Sequence, residues 1–459
     1  MKKISNLYIL SGILVLLCIA TFAVSRFEEN MEQIQNSDAI ILELSEESVT
    51  ALSWEYGSNS LAFHKEDQWF WNDDAAFPVD QEKMSELLEM FAEFGVSFII
   101  ENVTDYSPYG LNSPICTISL TADGQEYTVA LGDYSELDQN RYVSIGDGNV
   151  YLVRNDPLDL YDAVLDDVID HDETPYFDTA SAIQFTGTEE YRIFYEEDSI
   201  HTWCAEDVYF VEASGKTLPF DTEKIEDYLY SISSLYLTDY ITYNATEEEL
   251  TDTGLDNPEL SVTITHSYTG EDDNEITEDY IIHVSRDPEE RENADEDDPI
   301  TAYVRIGDSQ ILYQISESEY NALMAVSYNE LRHIEVLTAS FDEITGISLT
   351  LEEKDYEITI QEDDGEQLYF YGEEEVEIDD LKTAILALNA SEFTEETSDS
   401  KEEIRFTVYL DNENYPEITV ALYRHDGTYC TAEVNGEIVS LVERSLVVAL
   451  IEAVNTIVL

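Results

Sequence analysis

The sequence predicts an α+β protein: an N-terminal transmembrane helix followed by three tandem repeats of antiparallel sheet with packed helices. Three observations carry that expectation. No charged residue stands between Ile4 and Ser25, and beyond it the chain matches itself at a shift of 141 residues. Alternating, strand-like segments then outnumber helical ones, without the regular βαβ order that builds a doubly wound parallel sheet. The 459 residues allow two to four domains at about 100–200 residues each. A chain that is 43% hydrophobic and 11% aromatic can bury cores that a disordered acidic tail cannot.

The first segment sets the location of the rest. Ile4 to Val24 spans 21 residues, close to the ~20 a helix needs to cross a ~30 Å hydrocarbon layer. Lys2 and Lys3 precede it and the acidic bulk follows, so the positive-inside bias leaves residues 1–3 as a cytoplasmic stub, 4–25 as a single membrane span, and everything later outside. A cleaved leader has an apolar region of ~7–15 residues and a small-x-small site; here Ala23 and Ser25 make a poor site, which favours a retained anchor in the cell membrane. Cys18 follows Leu17, where lipoprotein processing wants a small residue, so it reads as part of the span. Residues 26–38 read as a polar linker. Cys116, Cys204 and Cys430 are distant and odd in number, which points to small buried hydrophobes, not a disulfide framework or a Cys-x-x-Cys site.

The exported part divides into repeats at 39–170, 177–333 and 334–459. Phe77-Pro78-Val79-Asp80-Gln81-Glu82-Lys83 returns as Leu218-Pro219-Phe220-Asp221-Thr222-Glu223-Lys224, with an echo at Ile378-Asp379-Asp380-Leu381-Lys382. Each opens a helical pattern, and Asp80, Asp221 and Asp379 stand where a side chain caps free backbone N–H groups. Met84, Leu87, Leu88 and Phe91, like Ile225, Leu229 and Ile232, fall at helical spacing. The turn Tyr109-Gly110-Leu111-Asn112-Ser113-Pro114 matches Thr253-Gly254-Leu255-Asp256-Asn257-Pro258, each leading into an alternating strand. Arg141 to Asp147 likewise matches Ala302 to Asp308. Closing helices are expected at Pro157 to Val168, Ser316 to Ala325 and near Val442 to Val454. Acid-rich insertions in the second repeat, Gly270 to Glu278 and Asp287 to Pro299, read as mobile loops. Trp69-Phe70-Trp71, Tyr209-Phe210 and Tyr369-Phe370-Tyr371 precede the three helices; their recurrence argues for core strands over a carbohydrate platform.

Candidate chemistry is thin. Gly215-Lys216-Thr217 lacks the upstream glycine of a phosphate-binding loop, since Phe210 stands there, and a hairpin turn explains it. The seven His residues show no zinc spacing; His266 and His283 are placed to approach on neighbouring strands, although solvent-facing strand histidines explain them better. No Gly-x-Ser-x-Gly elbow exists, and 102 carboxylates give acid-pair counting no power to find a glycosidase site. The clusters Glu271 to Glu275 and Asp295 to Asp298 lack the glycine and terminal Glu of a calcium loop, so only weak binding of divalent cations is expected. A net charge of −82 excludes nucleic acid and adsorption to anionic lipid, both of which run on Lys and Arg.

The Tyr-Gly-Leu-Asn-Ser-Pro turn, the strand pair carrying Asp123-Gly124 and Leu131-Gly132-Asp133, and the strand Tyr151 to Val153 together resemble the bacterial family called domain of unknown function 4340. The resemblance covers about Ile41 to Asp170, recurs with insertions over 181–333, and fades in the last repeat, which lacks the Tyr-Gly-Leu turn. It implies a membrane-anchored exported protein associated with ABC-type transporters, and it supplies no catalytic residues. The expectation is a non-enzymatic extracytoplasmic protein of the bacterial envelope with an interaction or scaffold role. It uses no cofactor and no metal, and its partners are the bilayer, through Ile4 to Val24, and membrane proteins such as transporter subunits. The alternative is an extracytoplasmic cation- or cell-wall-glycan-binding module.

Overall fold

The computed structural model describes Thr21 and residues 33–177, 180–270, 274–293, 299–363, 366–396 and 401–458. Apart from Thr21, the expected span from Ile4 to Val24 lies outside these residues, and among the described ones no helix is long and apolar enough to cross a membrane. The chain forms two compact units, Met1–His171 and Asp172–Leu459.

The first unit holds one antiparallel sheet. Its strands lie in the order Trp69–Trp71, Asn59–Lys65, Val49–Tyr56, Cys116–Ala122, Gln125–Ser135, Asn140–Ser144, Val150–Val153, Phe94–Glu101 and Gln33–Asn36, with Ile40–Leu42 paired to the start of Phe94–Glu101. The second unit holds two sheets of nine strands. One runs Lys216–Pro219, Tyr209–Ala213, Tyr191–Tyr195, Ala180–Gly187, Leu260–Thr269, Glu275–Arg286, Ala302–Ile306, Leu312–Ile315 and Tyr240–Thr242. The other runs Glu374–Glu375, Glu366–Tyr371, Lys354–Asp363, Ile344–Leu351, Glu402–Leu410, Glu417–Arg424, Tyr429–Val434, Glu437–Glu443 and Ala390–Phe393.

All three sheets follow one path. A meander runs outward to one edge, a helix follows it, and the next strand pairs at the far side. Four more strands then fill the gap, the first of them pairing with the first strand of the meander and the last with the far-side strand. The described residues are therefore mostly β, because the three sheets hold ten, nine and nine strands around a few short helices.

Alternation drives the packing. Cys116, Ile118, Leu120 and Ala122 are buried while Thr117, Ser119 and Thr121 between them are half-exposed, the signature of a strand with one face on a core. Against the first core packs helix Gln81–Glu89, whose Met84, Leu87 and Leu88 are buried together with Phe91; each contributes about 1.5–3 kcal/mol by leaving water. Trp54 stacks on Phe63 at 5.4 Å and meets Tyr161 edge-on at 5.5 Å. Both polar tips are satisfied: Trp54 Nε1 donates to Ala163 O at 3.1 Å and the Tyr161 hydroxyl to Leu87 O at 2.6 Å.

Several expectations need correction. The Pro157 to Val168 helix is broken into Leu158–Tyr161 and a 3-10 turn at Leu165–Asp167; between them Ala163 O is turned to Trp54 Nε1 instead of to a continuing helix. The last helix runs Arg444–Val458. Part of the presumed linker is an edge strand, since Gln33–Asn36 pairs with Phe98–Glu101. The insertion at Gly270 to Glu278 is partly sheet, as Glu275–Arg286 pairs with Leu260–Thr269 to the hairpin tip; residues 271–273 lie outside the described set. In the other insertion Pro288–Asn293 is helical, and residues 294–298 are likewise outside the described set. Trp69, Tyr209 and Phe210 are buried as expected, whereas Tyr369, Phe370 and Tyr371 are only half-buried.

Candidate functional site

The repeat signatures are structural. Asp80 caps its helix by accepting from Lys83 N at 2.9 Å, and Asp221 accepts from Glu223 N and Lys224 N. Asp379 does not cap: the helix Asp379–Leu386 is preceded by Ile378 at the cap position with no side-chain bond. Its carboxylate stands instead in the first turn, where the helix dipole favours it. The lysines diverge too. Lys83 pairs with Glu86 at 3.0 Å, Lys382 sits over the Phe341 ring at 5.2 Å, and Lys224 Nζ donates to the carbonyls of Glu330 and Arg332 at 3.1 and 2.8 Å.

Gly110 and Gly254 both hold left-handed backbone, φ +71° and +73°, at the ends of the 3-10 turn Ser107–Tyr109 and of helix Glu247–Asp252. A Cβ on Gly110 would lie 2.7 Å from Asp133 N, and one on Gly254 would lie 2.6 Å from Ser285 Oγ. The turns must therefore press directly on the sheet, which explains the glycine. Leu255 is buried and Leu111 half-buried; Pro114 is exposed and Pro258 half-exposed. Ser214 and Gly215, both at positive φ, turn the hairpin between Tyr209–Ala213 and Lys216–Pro219. His266 and His283 do not approach each other: His266 stands opposite Glu278 and His283 opposite Ser261. His266 is buried, not solvent-facing, and His283 bonds Ser261 Oγ at 2.8 Å.

Ionisable chemistry gathers instead where the second and third sheets meet. Cys204, Asp207 and His333 place one ligand atom each within 4.8 Å of one another, and Asp221, His333 and Glu335 do the same on the other side of the imidazole. The loop before strand Tyr209–Ala213 folds back on itself: Cys204 N donates to Thr202 Oγ1 at 3.0 Å, and Asp207 N to Cys204 O at 3.2 Å. Asp207 is thereby buried with each carboxylate oxygen engaged by one partner. Oδ2 accepts from the Thr202 hydroxyl at 2.6 Å and Oδ1 faces His333 Nε2 at 2.7 Å.

His333 arrives from the opposite direction. Helix Tyr328–Leu331, fixed by a capping box between Ser327 and Glu330, ends just before it, and Asp221 N anchors that end through Leu331 O at 3.1 Å. Beyond it Ala390 N donates to Ile334 O at 2.7 Å and Val336 N to Leu388 O at 2.9 Å, tying the same stretch to the third sheet's helix end. Nδ1 is flanked by Asp221 Oδ2 at 3.7 Å and Glu335 Oε2 at 3.8 Å.

Electrostatics follow from these neighbours. Burial works against the His333 cation, but the Asp207 hydrogen bond and the charges of Asp207, Asp221 and Glu335 outweigh it and raise its pKa. Burial, reinforced by the Asp207 charge, pushes the Cys204 thiol up to about 11. Cys204 is therefore a protonated thiol at neutral pH, the wrong state for an activated nucleophile. Beside the cluster opens a cleft of about 560 Å³ lined by Cys204 and Asp207 together with Asp198, Asp342, Glu343 and Asp411.

Of the signature residues, the fold thus brings only Asp221 and Lys224 to this cluster. Cys204, Asp207 and His333 carried no sequence signal beyond a Cys-x-x-Asp, because the histidine comes 126 residues after the aspartate and local spacing rules do not reach that far.

A tandem array of ten-, nine- and nine-stranded antiparallel sheets, sharing one strand path, is the class of protein that fold and cluster define. The chain belongs to the family described as Domain of unknown function (DUF4340), whose profile matches residues 69–258 and, overlapping, 211–407. The second match runs well into the third sheet, beyond the extent expected from the signature turns. No curated protein and no solved structure matches the chain.

Proposed function

We propose that this chain is a non-enzymatic, single-pass membrane-anchored protein of the bacterial envelope, its bulk extracytoplasmic, with an interaction or scaffold role accessory to an ABC-type transporter. The observation that carries the reading is the repeated sheet face turned away from each core. Ser53, Ser119 and Thr128 stand side by side across neighbouring strands of the first sheet, and Ser348, Thr407 and Thr419 do so in the third. Thr263 and Thr265 occupy the corresponding strand of the second sheet, opposite Gln184 and Ala182. These are short, half-exposed or exposed hydroxyl side chains. They form rows of short polar side chains, which suit a protein partner better than they enclose a small substrate.

The uncharged stretch Ile4 to Ser25 supports the anchor. The test is fractionation and affinity isolation of the tagged full chain from native membranes. Recovery in the membrane fraction with transporter subunits is expected, and recovery in the soluble cytosolic fraction without them refutes the reading. Substituting Arg for Ser119 and Thr128 should weaken that association while leaving the fold intact. The acidic cleft favours the second reading, an extracytoplasmic cation- or cell-wall-glycan-binding module, and saturable glycan binding by the full chain would decide for it.

A further inference from the structure

We infer that Cys204, Asp207 and His333 form a site for a thiophilic divalent metal of the zinc type, with the thiolate, one carboxylate oxygen and imidazole Nε2 as its protein ligands. The inference goes beyond the scaffold reading and stands whether or not a transporter partner exists. Its first support is the donor set. One sulfur and one imidazole nitrogen beside a carboxylate oxygen, all within 4.8 Å of one another, give the borderline-to-soft set that zinc-like ions take, whereas calcium takes six to eight oxygens.

The second support is what lies behind the imidazole. While Nε2 points at Asp207, the opposite nitrogen is flanked by the Asp221 and Glu335 carboxylates at 3.7 and 3.8 Å. Carboxylates behind the far ring nitrogen raise the basicity of a metal-binding histidine; at these distances they do so as neighbouring charges, not as hydrogen-bond acceptors. The alternative set, Asp221, His333 and Glu335, is more exposed and lacks the thiol, so it serves better as this outer support than as the primary site.

The third support is access. Cys204 and Asp207 lie on the wall of the acidic cleft, whose negative charge draws cations and leaves room for a fourth ligand from solvent or from a partner. Loading would replace the Cys204 thiol proton and, when His333 is the cation, the proton on its Nε2; these go to solvent, Nδ1 keeps its proton, and no oxidant or reductant takes part. Because the loop carrying Cys204 and Asp207 belongs to the second sheet while His333 leads into the third, an ion here would clamp the two repeats together.

Chelator-treated full chain titrated with zinc chloride by calorimetry should bind one equivalent, retained against a large excess of calcium chloride. Cobalt loading should give the thiolate-to-metal charge-transfer absorption. Cys204→Ser should abolish that band and lower zinc affinity at least about tenfold, the lower end of what even outer contacts are worth. His333→Gln should lower affinity likewise, while Glu126→Gln, at an exposed strand position in the first unit, should not. Circular dichroism establishes that each variant is folded before it is titrated. Folded wild-type chain that takes up no zinc overturns the proposal. So does zinc affinity unchanged in folded Cys204→Ser but lost in the double variant Asp221→Asn/Glu335→Gln, which would put the ion on the other face of the ring.

Discussion

Removing the imidazole from the junction cluster tests the electrostatic account most directly. In His333→Ala the Asp207 carboxylate, with 1% of its side chain exposed, loses the partner 2.7 Å away. Deleting one member of a fully buried pair costs about 3–5 kcal/mol. Here the His333 side chain keeps 20% exposure and Thr202 stays on Oδ2 at 2.6 Å, so the expected loss is about 2–3 kcal/mol. The loss also depends on pH in a definite direction. His333 has a folded-state pKa raised above its ordinary 6.5, so the folded protein holds the proton more tightly than the unfolded chain does. Its charge-dependent stabilisation is fully present below the unfolded value and disappears as pH rises through the folded one. The wild-type minus variant gap should thus be widest at about pH 5.5 and narrow by about pH 9, where only the neutral hydrogen bond remains. Urea denaturation of the metal-stripped chain, followed by circular dichroism at both pH values, measures it. A gap equal at the two pH values, or wider at the alkaline one, would refute the assignment of His333 as the cation of the cluster.

Other expected outcomes follow from packing and charge. Asp80→Ala should cost about 1 kcal/mol through the lost cap, whereas Asp379→Ala, which removes no cap, should cost only about 0.3 kcal/mol; thermal melts compare them. Gly110→Ala should destabilise more than Gly57→Ala. Both add about 1–2 kcal/mol of left-handed strain, but a Cβ at Gly57 meets nothing within 4 Å and one at Gly110 meets Asp133 backbone. Tyr161→Phe should cost about 1 kcal/mol in urea denaturation by leaving Leu87 O without its 2.6 Å donor. With a net charge of −82, the chain should melt at higher temperature as sodium chloride is added, because close carboxylates repel and salt screens them. A flat response across the titration removes that idea.

Local patterns were legible wherever the physics is local. Apolar spacing in Met84, Leu87, Leu88 and Phe91 declared a helix with one buried side. Asp80 and Asp221 declared where helices begin, and Gly110 and Gly254 declared where the chain must turn through left-handed backbone. Repetition of these signals declared one module used more than once. Asp379 misled because a cap differs from a first-turn residue by a single position, a shift that only the backbone's own path decides. The same limit hid the break between Tyr161 and Val168.

Strand order belonged wholly to the tertiary structure. Nothing in the residues of Tyr240–Thr242 says that it pairs with Leu312–Ile315 across the far side of its sheet, because that choice is made by loop closure and by which edge stays open after the meander forms. The gathering of Cys204, Asp207 and His333 is of the same kind. Composition supplies the ligands, but a separation of 126 residues becomes a 2.7 Å contact only when a loop of one sheet and the exit of a helix are packed onto the next.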